Sequence, residues 1–174
     1  MLFLVSLAIG LIAGLVTRGS LLAIGGLQVR WPAIVVIALL VRFATVLTPL
    51  RHVDGIQYLY AISFLVLVGW CIWNLQRIRG VWIVTIGAAL NLVVIAANAG
   101  RMPVSASAAG VATYTPMTAS THLNWLGDWI VVGRPTWGVY SPGDLIISIG
   151  VVIVTFLLTR QTGETRPRIV SDPP

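Results

Sequence analysis

The chain has 174 residues, of which 57% are hydrophobic and only 9% charged, and its mean hydropathy is +0.95. Soluble domains carry roughly 25% charged residues, so this composition excludes an ordinary soluble domain and predicts an all-α integral membrane protein whose first partner is the lipid bilayer. The formal charge of +6 comes from eleven arginines and no lysine against five acids; because the arginines are scattered singly between apolar runs, they exclude a nucleic-acid footprint and fit membrane topology instead.

In chain order, five apolar stretches stand out: Leu2 to Val16, Trp31 to Leu50, Tyr58 to Leu75, Val81 to Ala99, and Asp144 to Thr159. Each approaches the roughly 20 residues that cross a bilayer as helix, and the first and last are short enough that they must stand upright or thin the membrane. The predicted fold is a bundle of five transmembrane helices, with spans at about 2–17, 31–50, 58–75, 81–99 and 144–159, an outer loop over 100–143 and a flexible cytoplasmic tail over 161–174. The first stretch lacks the leading positive charge and the small-residue cleavage site of a secretory signal, so it is expected to stay as a span with its N-terminus outside. Arg18, Arg30, Arg77, Arg79, Arg160, Arg166 and Arg168 then share one side, against Arg51, Arg101 and Arg134 on the other. The positive-inside rule puts the C-terminus in the cytoplasm. Trp31, Trp70, Trp73 and Trp82 gather near that inner interface and Tyr58 and Tyr60 near the outer one, as amphipathic rings prefer. The lone cysteine, Cys71, lies within an apolar run, which excludes an internal disulfide.

The polar residues inside these stretches carry the next layer of information. Ser6, Gly10 and Gly14 recur every four residues on the first helix, a stripe of small residues that lets a second helix approach closely. It serves either internal packing or a homo-oligomer. Arg42 sits near the middle of the second span, in VIALLVRFATVL, where a central arginine costs roughly 2.5–3.5 kcal/mol on the insertion scale and needs partners. Asp128 and Asp144 are the first candidates. Asn91 and Asn98 lie seven residues apart on nearly one face of the fourth helix, with Arg101 about a turn beyond. In YSPGDLI, Ser141 is a natural N-cap, Pro142 a first helical residue and Asp144 the third, the pattern of a capping box with Asp in place of Glu.

Between Ala99 and Asp144 lie more than forty residues, too many for a simple connector. Residues 121–132 have the periodicity of a short interfacial helix, with Leu123, Leu126 and Ile130 together, Thr121, Asn124 and Asp128 opposite, and Trp125 and Trp129 at the margin. The turn-rich GRPTWGVYSPGD then leads back into the last helix. In this topology His52, Asp54, Arg101, His122, Asn124, Asp128 and Asp144 all fall on the outer side. No HxxxH or HExxH spacing organises a metal site, no histidine lies in a span where it would hold an embedded haem, and none of Ser105, Ser107, Ser120 and Ser141 sits on a nucleophile elbow. Neither metal nor cofactor is therefore expected.

NAGRMPVS at 98–105, HLNWLGDWI at 122–130 and YSPGDLIISIG at 140–150 together resemble a family of small bacterial multi-pass membrane proteins of unknown function, over nearly the whole chain. The resemblance implies a bacterial inner-membrane location and makes the outer loop a family feature; it implies no substrate. The expected function is that of a non-enzymatic accessory or scaffold subunit of the membrane. Two alternatives stand beside it: a small transport or lipophilic-ligand protein with an outward-facing polar site, and an outer-leaflet enzyme acting through His122 and Asp128. The residues on which these readings turn are Arg42, Asn91, Asn98, Arg101, His122, Asn124, Asp128 and Asp144, as a ligand-binding or a structural polar cluster.

Overall fold

The computed structural model describes residues 2–25, 29–105, 112–134 and 138–160; the tail expected over 161–174 lies outside them. Among the described residues six α-helices form the body: α1 (Leu2–Val16), α2 (Leu21–Gly25), α3 (Pro32–Leu47), α4 (Ile56–Trp73), α5 (Val81–Ala97) and α6 (Pro142–Thr159). Two of them, α4 and α6, have 18 residues and are apolar enough to cross a membrane, and α1, α3 and α5 are apolar and shorter. The helices pack in the order α3, α4, α5, α6, α1, so α6, last in the chain, lies between α5 and α1. The short α2 also leans on α6.

Local chemistry sets the helix ends. Proline at the first position of α3 loses no bond that a helix would have made, and Pro49 stops the helix after Leu47, turning the chain into a single 3-10 turn over Pro49–His52. The second predicted span is shortened accordingly. Gly80, at φ +85°, supplies the left-handed turn that starts α5. Asn74, fully buried just past α4, accepts the Arg30 N–H at 2.9 Å, while the Trp70 indole donates to the Arg30 carbonyl at 2.8 Å. Together they fasten the approach to α3 against the end of α4.

Small residues decide the helix seams. Ser6, Gly10 and Gly14 are all buried on α1, where a Cβ on Gly10 would come within 2.9 Å of the Thr155 Cβ and one on Gly14 within 3.0 Å of the Thr159 Cβ. The stripe is taken up by α6 of the same chain, the internal-packing alternative. On the other side of α6 a Cβ on Gly87 would lie 2.6 Å from the Gly143 carbonyl, and one on Gly150 would lie 2.8 Å from the Val84 nitrogen. The backbones of α5 and α6 therefore touch.

The segment between α5 and α6 departs most from expectation. It is built of two small sheets: β1 (Met102–Val104) runs parallel to β2 (Tyr114–Pro116), and β3 (Ile130–Val132) pairs antiparallel with β4 (Gly138–Tyr140). The helix expected over 121–132 is absent; only Asn124–Leu126 forms a 3-10 turn. Its backbone groups find partners elsewhere, since the Asp128 N–H donates to the Pro103 carbonyl at 2.8 Å and the Asp128 carbonyl accepts from Ser105 at 2.9 Å. The β-branched run Ile130–Val132 suits a strand better than a helix.

The touching α5–α6 seam makes a contrast between two glycines. We expect Gly87→Ala to lower thermal stability in detergent by about 1–3 kcal/mol through overpacking. A Cβ at Gly69 on α4 meets nothing within 4 Å, so Gly69→Ala should be neutral or stabilising by roughly 0.5–1 kcal/mol; equal effects of the two would contradict the seam.

Candidate functional site

The β segments form a cap over one end of the bundle, and the cap is anchored from below. Asn98, the C-cap residue of α5, donates its amide to the His122 carbonyl and accepts the His122 N–H, both at 2.9 Å. One side chain thus satisfies both backbone groups of His122. β1 lies in the middle of the cap: the Met102 N–H donates to Thr113 and the Met117 N–H to Val104 on one flank, and an isolated parallel bridge joins Val104 to Asp128 on the other. That bridge uses the Pro103 carbonyl and the Ser105 N–H, so the proline's missing N–H leaves no bond unmade. A Cβ on Gly127 would lie 2.7 Å from the Pro103 carbonyl. Glycine there lets the chain come close enough for Asp128 to bond to β1.

Beneath the cap is a cavity of about 130 Å³. Arg42 of α3, Tyr60 and Phe64 of α4, Asn91 of α5, Tyr114 of β2, Asp128, Tyr140 of β4 and Asp144 of α6 all line it. Four of the eight residues singled out from sequence, Arg42, Asn91, Asp128 and Asp144, meet here. The other four do not line it. Asn98 anchors the cap; Asn124 is bound within it, accepting from the Thr121 hydroxyl and donating to the Thr118 carbonyl; Arg101 and His122 are exposed. The aromatic lining carries no signal in the sequence where it comes from α4, because Tyr60 and Phe64 in an apolar helix look like bilayer-facing residues.

One wall is a closed hydrogen-bond network. The Asn91 amide donates to Asp144 Oδ1 at 2.9 Å, the Ser141 hydroxyl donates to Asn91 Oδ1 at 2.9 Å, and the Ser141 N–H donates to Asp144 Oδ2 at 3.2 Å. The Asp144 N–H donates back to the Ser141 oxygen at 2.9 Å, completing the capping box that the sequence predicts. Both carboxylate oxygens of Asp144 are engaged, as buried polar groups require.

Arg42 and Asp128 are different. The expected ion pair between Arg42 and an aspartate is not among the contacts of the described residues. Instead, the guanidinium lies 3.9 Å from the Phe64 ring centroid and 4.7 Å from that of Tyr60, two residues four apart on the helix beside α3. These faces attract a cation but accept no conventional hydrogen bond, and Arg42 Nη1 is buried without a hydrogen-bond partner. Asp128 is 7% exposed and its Oδ1 likewise has no partner. Burial, and then the charge of Asp144, push the Asp128 carboxyl from 3.8 up to about 8, with Arg42 acting the other way. Burial also raises the Tyr114 phenol well above its ordinary value, so it stays a neutral O–H.

The sequence profile of DUF5317, a family of unknown function, matches residues 26–156, and the chain belongs to that family. The match runs from before α3 to near the end of α6 and includes every polar cavity residue named above. An uncharacterised protein of Thermotoga maritima is 34% identical over 120 residues, which is 64% of this chain and 69% of the relative. No solved structure matches the chain.

The raised Asp128 carboxyl has a measurable consequence. The folded protein holds this proton to about 8 whereas the unfolded chain releases it near 3.8, so its contribution is complete below the lower value and is lost as pH rises through the upper one. Asp128→Asn should remove this component. The stability of the unaltered protein relative to the variant should fall by roughly 1 kcal/mol per pH unit across the window, and parallel curves from chemical unfolding in detergent would contradict the assignment.

Proposed function

We propose that this DUF5317 member is a five-span integral membrane protein whose cap lies outside the cytoplasm and covers a chamber for a small polar ligand. The membrane reading is supported by the inverted distribution of side chains. Leu4, Ile12 and Val16 of α1, Ile37, Leu40 and Leu47 of α3, and Ile62 and Leu65 of α4 are exposed, while Ser6, Thr45, Ser63, Asn91, Ser148 and Thr155 are buried. An apolar exterior around a polar interior is the arrangement that lipid favours. At about 1.5 Å per residue the shorter helices reach about 23–26 Å, which a locally thinned bilayer accommodates. The end opposite the cap carries Arg18, Arg30, Arg77, Arg79 and Arg160, and the positive-inside rule assigns it to the cytoplasm. Trp125 and Trp129, both exposed on the cap, suit the outer interface.

The single observation that carries the ligand reading is that Arg42 and Asp128, each with one buried side-chain atom that has no hydrogen-bond partner, both line one cavity. A purely structural subunit has no need of that arrangement, because folding contacts alone would satisfy the cluster, as they do at Asn91, Ser141 and Asp144. Nor does the geometry favour an enzyme built on His122, whose side chain is exposed and absent from the cavity wall.

Cysteines placed in a Cys71→Ser background test orientation and chamber together. With a small charged thiosulfonate applied to intact cells, Ser120→Cys on the cap and Val139→Cys on the chamber wall should both react. Arg79→Cys should react only after the membrane is opened. Reaction of Arg79→Cys from outside would reverse the topology, and an inert Val139→Cys would leave a closed structural cluster in place of a chamber.

A further inference from the structure

Resting on that reading of the chamber, the chemistry of its wall narrows the ligand. Asp144 and Asn91 are engaged at both ends of their side chains, and Ser141 gives its proton to Asn91. Two residues of the wall each keep a buried side-chain atom without a hydrogen-bond partner: Arg42, whose guanidinium is brought by α3, and Asp128, whose carboxyl is brought by the cap. They are of opposite chemical character, and they sit on different structural units. An anion alone would satisfy Arg42 but face the Asp144 carboxylate, and a cation alone would satisfy an ionised Asp128 but face the guanidinium. A dipolar molecule meets both. The volume limits it further, since about 130 Å³ is well below the roughly 300–1,000 Å³ of pockets that take drug-sized ligands.

We propose that the cavity binds a small zwitterion of the amino-acid class, with its carboxylate on the Arg42 guanidinium and its ammonium on the Asp128 carboxylate. The flat guanidinium suits a carboxylate because it offers parallel donors, and its stacking on Phe64 and Tyr60 fixes the plane in which those donors point. Met102 and Ile95 complete the wall with apolar surface for a short aliphatic side chain. The ammonium favours the ionised form of Asp128, so binding near neutral pH expels the proton that the carboxyl otherwise holds. The groups facing it from the surrounding elements are Arg42, Tyr60, Tyr114, Tyr140 and Asp144. Of these, burial and neighbouring charge keep Tyr114 protonated at neutral pH, and the proton released is that of Asp128, whose carboxyl burial pushes up to about 8.

The test uses the full chain in lipid nanodiscs at pH 7, with glycine, alanine, acetate and methylammonium as separate probes. Glycine or alanine should raise the thermal midpoint by about 5 °C once its concentration is about 100-fold above Kd, while acetate and methylammonium should do no more than matched sodium chloride. Binding should release protons into weak buffer in the unaltered protein, and Asp128→Asn should abolish both the release and the shift. Arg42→Gln should abolish the shift; if that variant does not fold, Arg42→Lys keeps the charge without the paired donors and should weaken binding roughly tenfold. A shift with acetate alone, or with methylammonium alone, overturns the zwitterion and leaves the chamber standing. No shift with any probe while Val139→Cys reacts from outside does the same; no shift together with an inert Val139→Cys retires the chamber itself.

Discussion

Everything at the capped end of this protein depends on how α6 begins. A helix start carries N–H groups with no partner inside the helix, and in a dry setting they must be satisfied by the chain itself. Ser141 and Asp144 do this reciprocally, but both are almost wholly buried, so the carboxylate needs more than its own backbone. Asn91 supplies it from the neighbouring helix and is itself satisfied by the Ser141 hydroxyl. The side chain of Asn91 can only reach that position because residue 143 is glycine, since any Cβ there would fall on the Asn91 carboxamide. Cap, cross-link and close helix contact are one interaction with three sequence requirements.

From that anchor the rest of the site follows. Fixing Ser141 fixes the end of β4 and hence the return of the cap, while Asn98, seven residues after Asn91 on the same helix, holds the far side of the cap through the peptide of His122. Asn91 within α5 and Asn98 at its C-cap therefore anchor the two sides of one cap. Between them the middle strand β1 takes Asp128 as a third strand partner and delivers its carboxyl to the cavity. The MPVS and LGDW segments thus meet through one isolated parallel bridge, on the flank of β1 opposite β2.

The sequence is legible where the chemistry is local. The apolar stretches locate the helices, YSPGD announces its capping box, and the cost of a mid-helix charge marks Arg42 as a residue that needs company. It is illegible where partners come from far away. Strands of three residues carry almost no periodic signal, and β1 finds its partners at Tyr114–Pro116 and Asp128 across stretches that no local rule links. The spacing of Leu123, Leu126 and Ile130 matches a helical face by coincidence, whereas the glycine at 127 and the run of β-branched residues after Trp129 are the features that the fold obeys. Tyr60 and Phe64 were hidden for the opposite reason: they suit an apolar helix so well that nothing in the sequence marks them as the seat of a cation.

That seat bears on why the cavity persists. If Arg42 reached Asp128, it would draw the proton off that carboxyl and the chamber would close around a salt bridge. The aromatic pair prevents this by holding the guanidinium on α4, yet it does so incompletely: a cation on a ring face gains roughly 0.5–2 kcal/mol, against about 2.5–3.5 kcal/mol for a central arginine. The shortfall, between about 0.5 and 3 kcal/mol, is small enough for the folded protein to tolerate. It is also large enough to favour a molecule that brings a carboxylate to the guanidinium. A site that is slightly unsatisfied by its own protein, with its opposite charge held apart on a separately anchored cap, is preorganised for a guest that spans the gap, because the walls need not rearrange to receive it.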